Sequence, residues 1–157
     1  MNMNKLIRES NLIEGIDDPA ADAQSVKAWN YLKLAPYINE KVLLKTHKLI
    51  TKNQLAHNES GFYRNVDVAV GGRLCPAPFL AKQLIYNFLM DLMQEWDKLN
   101  PKQMHIRFEQ IHPFVDGNGR TGRMIMWWHE KKQGKEPSLI LNSTKHEDYY
   151  SWFRSES

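Results

Sequence analysis

Twelve consecutive residues in the second half of the chain decide its fold: His112-Pro113-Phe114-Val115-Asp116-Gly117-Asn118-Gly119-Arg120-Thr121-Gly122-Arg123. Pro113 disfavours helical geometry in the residue before it, so the helix predicted over Lys102 to Ile111 should end at His112. The glycines allow a tight turn, and the pattern of Thr121 to Gln133 is helical again. The stretch therefore predicts a helix, a glycine-rich turn and a second helix.

The same stretch carries groups that bind phosphate. A turn of backbone N–H groups at a helix N-terminus binds anions, and we expect this of Gly117, Asn118 and Gly119. Arg120 and Arg123 are three residues apart, so they are neighbours on the first turn of the following helix. Both guanidiniums can form paired hydrogen bonds with phosphate oxygens. Two arginines beside such a turn indicate a ligand with more than one phosphate.

A metal ligand and a base complete the set. Asp116 offers a hard carboxylate oxygen, and magnesium typically takes one or two carboxylates together with substrate phosphates. A neutral imidazole near pH 7 can take a proton from an attacking hydroxyl, which makes His112 the candidate general base. Each residue alone has an ordinary structural explanation. A purely structural turn, however, has no reason to collect all of them on one stretch.

The rest of the chain is predicted to be mainly helical. Between Phe79 and Lys98 an apolar residue recurs every four positions, which predicts a central helix. Shorter helices are predicted over Asp22 to Leu34 and over Glu40 to Ile50, with Asn39 as the cap of the second. Further signals are Gly134 as a helix terminator and a capping box at Thr144-Lys145-His146-Glu147, which should start a short helix carrying Tyr149, Tyr150, Trp152 and Phe153.

One segment has the period of a strand. Val66, Val68 and Val70 alternate with Asp67 and Ala69, and the turn Gly71-Gly72 and the return Arg73-Leu74 follow. A lone hairpin is only marginally stable, so it should lie against the helices with one edge free. The predicted fold class is all-α, mainly helical, with one small β-hairpin.

Composition restricts the function classes. A chain of 157 residues fits one domain, taken as residues 1–157, and 42% hydrophobic with 25% charged residues is ordinary for a globular protein. The net charge of +3 is too small to imply nucleic acid. No signal peptide or membrane span of roughly 20 apolar residues is evident, so the expected location is the cytoplasm. Cys75 is the only cysteine, which excludes an intramolecular disulfide and a zinc-binding cysteine cluster, and we expect it to be a packing residue.

The twelve residues resemble the signature of the Fic domain family, His-Pro-Phe-x-Asp-Gly-Asn-Gly-Arg-x-x-Arg, at every specified position. Gly61-Phe62-Tyr63-Arg64 before the hairpin is similar to the family segment that leads into its "flap". The resemblance extends over about residues 5 to 155, and the mainly helical pattern agrees with it.

The resemblance implies AMPylation, which is transfer of AMP from ATP to a Tyr, Ser or Thr hydroxyl of a target protein. It implies that His112 is the base and that Asp116 binds Mg²⁺ (or Mn²⁺) between the α- and β-phosphates. It also implies that Gly117, Asn118 and Gly119 form the anion hole. Arg120 would contact the phosphates, and Arg123 would bind the γ-phosphate. It makes Phe114 the anchor of the loop. The target protein would pair with the flap strand through Val66, Val68 and Val70 by β-augmentation. Tyr149 or Tyr150 would line the adenine pocket, with core packing as the alternative.

A second motif lies near the N-terminus. Ser10-Asn11-Leu12-Ile13-Glu14-Gly15 resembles the family's inhibitory motif, Ser/Thr-x-x-x-Glu-Gly/Asn, within a segment of about residues 5–16. The resemblance implies that Ser10 and Glu14 are regulatory, and that the Glu14 carboxylate pairs with Arg123 in the place of the γ-phosphate. The alternative is a solvated Glu14 at a helix end, with Gly15 as the terminator.

Other functions stay open at this point. Enzymes of the same fold remove AMP or transfer UMP, phosphocholine or phosphate; retention of Gly119, Arg120 and Arg123 favours nucleotidyl transfer. A non-catalytic, antitoxin-like binding module would require a degenerate site, and no catalytic position is degenerate. Many relatives with an N-terminal inhibitory motif carry further segments, often a DNA-binding module, so the chain is either a minimal member or a shortened one. Homo-oligomerisation could then affect how Glu14 is held.

Overall fold

The computed structural model describes residues 2–154, and the predicted mainly helical class is confirmed. The predicted domain includes Met1 and residues 155–157, which lie outside the described part. The elements are α1 (Met3–Ile13), α2 (Pro19–Leu32), α3 (Glu40–Thr51), β1 (Ala69–Val70), β2 (Arg73–Leu74), α4 (Pro78–Glu95), α5 (Pro101–Ile111), α6 (Asn118–Lys132), a 3-10 helix (Asn142–Thr144), α7 (Lys145–Asp148) and α8 (Ser151–Arg154). Among residues 2–154, no helix combines the length and apolar character needed to cross a membrane.

Helix α6 is the centre of the fold. Every residue from Asn118 to Glu130 is buried, and α6 packs against α5, α3 and α1. The indole N–H groups of Trp127 and Trp128 donate to the carbonyls of Ser138 and Ala35, each at 3.0 Å, so the helix is tied to two loops. The residues predicted to bind phosphate therefore lie at the start of a helix that is buried along most of its length.

The prediction of a central helix over Phe79 to Lys98 was wrong about its position. The helix exists as α4, but it buries one face only, through residues such as Ile85 and Phe88, while Phe79 and Tyr86 are largely exposed. A wide apolar stripe indicates a helix, but it does not say how many neighbours cover it. Helix α6 is less apolar in sequence, yet it is surrounded.

Local signals place most helix ends. The Asn39 side chain accepts a hydrogen bond from the Val42 amide at 2.8 Å, as predicted for a cap, and Gly134 ends the α6 segment with φ of 79°. A short helix does begin after Thr144, as predicted, but the predicted capping box does not form. Thr144 ends the 3-10 helix and makes no capping hydrogen bond through its side chain. The segment instead divides into α7 and α8 around the buried Tyr149.

The predicted hairpin is confirmed and is shorter than the valine pattern. Ala69 pairs with Leu74 and Val70 pairs with Arg73, and Gly71 and Gly72 form the turn at φ of 57° and 81°. The Cys75 amide donates to the Val68 carbonyl at 2.9 Å, which extends the ladder by one residue. Pairing alternates along an antiparallel ladder, so the backbone groups of Ala69, between Val68 and Val70, face the free edge of β1. Val66 lies outside the strands, and Cys75 is buried as expected.

His47 of α3 holds the glycine-rich loop against the helices. Its ring stacks on Phe114 at 3.7 Å between ring centres, with 8° between the planes. Nε2–H donates to the Asp116 carbonyl at 2.8 Å, and Nδ1 accepts the Gly61 amide at 2.9 Å. These two bonds require the neutral ring, and burial lowers the pKa of His47 to about 4.

Protonation of His47 in the unfolded chain should reduce stability in acid. The pKa of His47 falls from 6.5 to about 4 on folding. Between these two pH values, the unfolded state therefore binds a proton at His47 that the folded state does not bind. The free energy of unfolding should therefore decrease as the pH is lowered from 6.5 to about 4, with His47 contributing a slope of about 1.4 kcal/mol per pH unit. Urea unfolding at several pH values measures the slope.

His47→Gln should lower this slope, whatever its effect on absolute stability. His57→Gln, at an exposed histidine, is the matched control and should leave the slope unchanged. Equal slopes for all three proteins would contradict the assignment.

Candidate active site

The backbone of the loop places His112 at the end of one helix and a glycine-rich turn at the start of the next. Helix α5 ends at Ile111, as predicted, and His112 adopts the left-handed conformation with φ of 52° and ψ of 64°. A non-glycine residue there is strained by about 1 kcal/mol or more. Helix α6 begins at Asn118, three residues earlier than the predicted Thr121, so Asn118 and Gly119 belong to its first turn.

The His112 ring is oriented with one nitrogen free. Nδ1–H donates to the Glu109 carbonyl at 3.2 Å, which leaves Nε2 without its proton and without a hydrogen-bond partner among residues 2–154. Burial lowers the pKa of His112; Arg64 lowers it further, while the bond to Glu109 and the charges of Glu14 and Asp116 oppose the shift. The ring is therefore neutral at pH 7, as a general base must be.

Asp116 and Asn118 make different contacts in the turn. Asp116 is exposed, and its Oδ1 accepts the Gly117 amide at 2.8 Å. The Asn118 side chain is buried and bonds both the amide and the carbonyl of Phe114, at 2.9 and 2.8 Å. Asn118 thus closes the loop through its side chain, which leaves its backbone N–H for a ligand.

The glycines of the turn leave no room for a side chain. A Cβ on Gly119 would lie 2.6 Å from Glu14 Oε2 and 2.9 Å from an Arg123 nitrogen. A Cβ on Gly117, which has φ of 82°, would lie 2.7 Å from Thr51 Cγ2. Glycine at these two positions therefore lets neighbouring side chains approach the backbone closely, and the group that lies over Gly119 is the Glu14 carboxylate.

The two arginines of the motif are both buried but are held differently. Arg120 donates to Gln54 Oε1 at 2.7 Å, and its Nε is without a partner in the described part of the chain. Arg123 is 1% exposed, and its guanidinium donates from Nε to Ser10 Oγ at 2.7 Å and from NH1 to the Tyr149 hydroxyl at 3.0 Å. Arg123 is thus tied to the N-terminal helix and to the C-terminal segment at once.

Ser10 and Glu14, predicted to be regulatory, both contact Arg123. NH2 of Arg123 donates to the Ser10 carbonyl and to Glu14 Oε2, each at 3.1 Å. The Glu14 side chain is 32% exposed, so this ion pair joins a buried charge to one at the rim. Gly15, at φ of 74°, ends the helix as the alternative interpretation required. The ion pair with Arg123 and the helix terminator at Gly15 are thus both present, and the inhibitory role of Glu14 stays a prediction.

A cavity of about 700 Å³ opens beside these groups. The flap contributes Val70, Gly71 and Arg73, α5 contributes Glu109 and Gln110, and the C-terminal segment contributes Tyr149, Tyr150, Phe153 and Arg154, with Glu14 and Arg123 between them. Both tyrosines suggested for the adenine pocket line this cavity, and Tyr149 is also buried in the core. Among residues 2–154 no three His, Cys, Asp or Glu side chains come together to hold a metal. A metal ion beside Asp116 would therefore need further oxygen ligands from a bound molecule.

Several functional groups gave no usable signal in the sequence. Glu109 lines the cavity with Oε1 buried and without a partner in residues 2–154, and burial raises its pKa to about 7 against the opposing charge of Arg123. The buried His105 accepts the Tyr149 hydroxyl at 2.6 Å and so orients the oxygen that binds Arg123. The sequence indicated no role for Arg64. Its contacts, like those of His47, join residues far apart in the chain.

Comparison with known proteins agrees with this geometry. Residues 37–129 match the model of the Fic/DOC family. The chain is 30% identical to the Protein adenylyltransferase Fic of Aedes aegypti and 31% identical to that of Nematostella vectensis, over 96% and 94% of its own length. It covers only 30% and 34% of those relatives, so it spans about a third of their length.

Solved structures share the fold. The crystal structure of a Fic domain containing signalling protein from Bacteroides thetaiotaomicron superimposes with a TM-score of 0.76 at 20% sequence identity, over 94% of this chain and 69% of that one. The family model covers more than half of the chain, including the whole twelve-residue motif, and the fold agrees. This chain belongs to the Fic/DOC family.

Proposed function

We propose that this chain is a protein adenylyltransferase that transfers AMP from ATP to a Tyr, Ser or Thr hydroxyl of a target protein. The observation that carries the proposal is the placement of a free His112 Nε2 and two buried arginines around one open helix N-terminus. The names of the relatives from Aedes aegypti and Nematostella vectensis support the same activity.

The phosphates would bind to the N-terminus of α6. The backbone N–H groups of Asn118 and Gly119 would donate to the phosphate oxygens, and that of Gly117 would join them on leaving Asp116 Oδ1, its acceptor here. Arg120 and Arg123 would neutralise the phosphate charge. Asp116, exposed and with one oxygen not engaged by the Gly117 amide, fits a hard cation; Mg²⁺ or Mn²⁺ would supply further neutralisation of phosphate charge when bound. The adenosine would occupy the cavity lined by Tyr149 and Tyr150.

The transfer itself would need one proton acceptor. His112 Nε2 takes the proton of the target hydroxyl as its oxygen forms a bond to the α-phosphorus, and the bond from that phosphorus to the pyrophosphate oxygen breaks. The products are an AMP ester of the target and pyrophosphate. The protein contributes position and charge, and forms no covalent bond with the nucleotide.

His112→Ala should abolish transfer, because it removes the base. We expect a loss of at least about a hundredfold, the lower end of what general bases contribute. In the wild type, the rate should be constant around pH 7 and should fall only in acid, below the ordinary histidine pKa of 6.5, because burial lowers the pKa of His112. Mass spectrometry of the target after incubation with Mg-ATP measures the AMP adduct.

His57→Gln is the control and should retain full activity. If neither the wild type nor an activated variant placed AMP on itself or on any lysate protein, the binding-module interpretation would replace this one. Incubation of a modified target with the protein and Mg²⁺ or Mn²⁺ distinguishes AMP removal, since loss of the adduct without ATP would favour that reaction.

We also propose that Glu14 inhibits the enzyme by occupying Arg123. The guanidinium makes four hydrogen bonds, to Ser10, Glu14 and Tyr149, and only the one to Glu14 is to a charged group at the rim. The Glu14 carboxylate also lies over Gly119, where an anion would otherwise contact the first turn of α6. A γ-phosphate and this carboxylate would compete for the same charge.

Glu14→Gly should activate the enzyme. Removal of the carboxylate frees one donor of Arg123 and opens the space over Gly119, and we expect the rate at saturating Mg-ATP to rise at least about tenfold, equivalent to 1.4 kcal/mol. Asp17→Gly, at a surface carboxylate that pairs with Arg8, is the matched control and should not change the rate. A Glu14 variant no faster than wild type would refute the inhibitory role.

The flap would hold the target by strand addition. The free N–H and carbonyl of β1 belong to Ala69, while Val68 and Val70 engage β2. A docked target segment would therefore bond to Ala69.

Ala69→Pro should raise KM for the target by on the order of fivefold, the effect of one lost hydrogen bond, with little change in Mg-ATP affinity. Leu74→Pro removes the corresponding outward N–H of β2 and is the matched control. Equal effects of the two prolines on KM would argue against docking on the β1 edge.

A further inference from the structure

Arg64 joins four backbone carbonyls with one buried guanidinium. The residue is 3% exposed, and it donates from Nε to the His112 carbonyl at 2.6 Å and from NH2 to the Ile111 carbonyl at 3.3 Å. NH1 donates to the Val66 carbonyl at 2.9 Å, and NH2 also donates to the Pro76 carbonyl at 2.6 Å. The Arg64 amide donates to the Pro113 carbonyl at 3.0 Å.

Two of these carbonyls fix His112. The last carbonyls of a helix lack intrahelical partners, and those of Ile111 and His112 find theirs in Arg64. His112 holds a left-handed conformation that is strained without surrounding contacts. Arg64 and the Glu109 carbonyl, which binds the ring Nδ1, therefore hold the backbone and the imidazole of this residue from opposite ends.

The other two carbonyls fix the flap. Val66 precedes β1 and Pro76 follows β2, so the guanidinium grips both legs of the hairpin where they leave the body of the protein. Among residues 2–154 no carboxylate lies within 4 Å of the guanidinium. Within this part of the chain, its charge is therefore stabilised by carbonyl dipoles alone. An ordinary helix cap would contact only α5; this arginine also contacts the hairpin.

We infer that Arg64 is a positioning residue that sets the target hydroxyl, docked on the flap, in register with Nε2 of His112. The inference rests on the proposed function. Because one rigid planar group bonds the flap and the His112 backbone, the two cannot shift independently. Lysine lacks the planar fork and cannot serve four diverging carbonyls, although it keeps the positive charge.

Two variants separate geometry from charge, both made with Glu14→Gly. Arg64→Lys keeps a positive charge near His112, and Arg64→Gln removes it. Both should lower kcat by on the order of tenfold to a hundredfold, the effect of a displacement of about 1 Å at the reacting atoms, while Mg-ATP affinity by calorimetry stays within about twofold. Arg107→Gln, at an arginine of α5 that pairs with Asp91 on the surface, is the matched control.

A second readout needs no transfer activity. The charged groups facing His112 are Arg64, Glu14 and Asp116, and among them Arg64 lowers the His112 pKa. NMR titration of the His112 ring should therefore give a higher pKa in Arg64→Gln and an unchanged one in Arg64→Lys. Circular dichroism and thermal unfolding monitor the folded fraction of each variant.

The inference is supported if kcat falls in both folded variants and the pKa rises in Arg64→Gln alone. It is overturned if kcat falls only in proportion to the folded fraction, if Arg64→Lys restores full kcat, or if Mg-ATP affinity falls as much as kcat. If Glu14→Gly and its Arg107→Gln derivative transfer no AMP while the His112 pKa still responds as expected, the proposed function fails and the contact between Arg64 and His112 stands.

Discussion

The buried charge of Arg123 is the interaction on which the rest of the structure depends. A guanidinium removed from water must find partners for its N–H groups. Its partners come from both ends of the chain: Ser10 and Glu14 at the end of α1, and Tyr149 between α7 and α8. One charge therefore ties segments near both ends of the chain to α6.

A second constraint is the path of the backbone through the loop. His112 is strained and Gly117 and Gly119 are bare, and the loop keeps this shape because His47, Asn118 and Arg64 bond its carbonyls and amides. Each supporting residue comes from a different segment. The site is thus an open helix N-terminus held rigidly in place, which suits a reaction in which the protein supplies position and charge.

Local chemistry made much of this predictable. Proline after His112 marked the end of α5, and Gly71-Gly72 marked the hairpin, because both residues restrict the backbone at their own positions. Local rules failed where tertiary packing decides. The capping box predicted at Thr144 does not form, and the segment instead turns so that Tyr149 is buried. The contacts of Arg64 were invisible because its partners lie up to 49 residues away.

We propose that Arg123 is the shared partner of Glu14 and the γ-phosphate, and calorimetry with Mg-ATP and Mg-ADP tests this most directly. Both nucleotides share every other proposed contact, so only the third phosphate differs. We expect Glu14→Gly to strengthen binding of Mg-ATP by about tenfold or more and that of Mg-ADP much less. An equal gain for both nucleotides, or none for either, would contradict it.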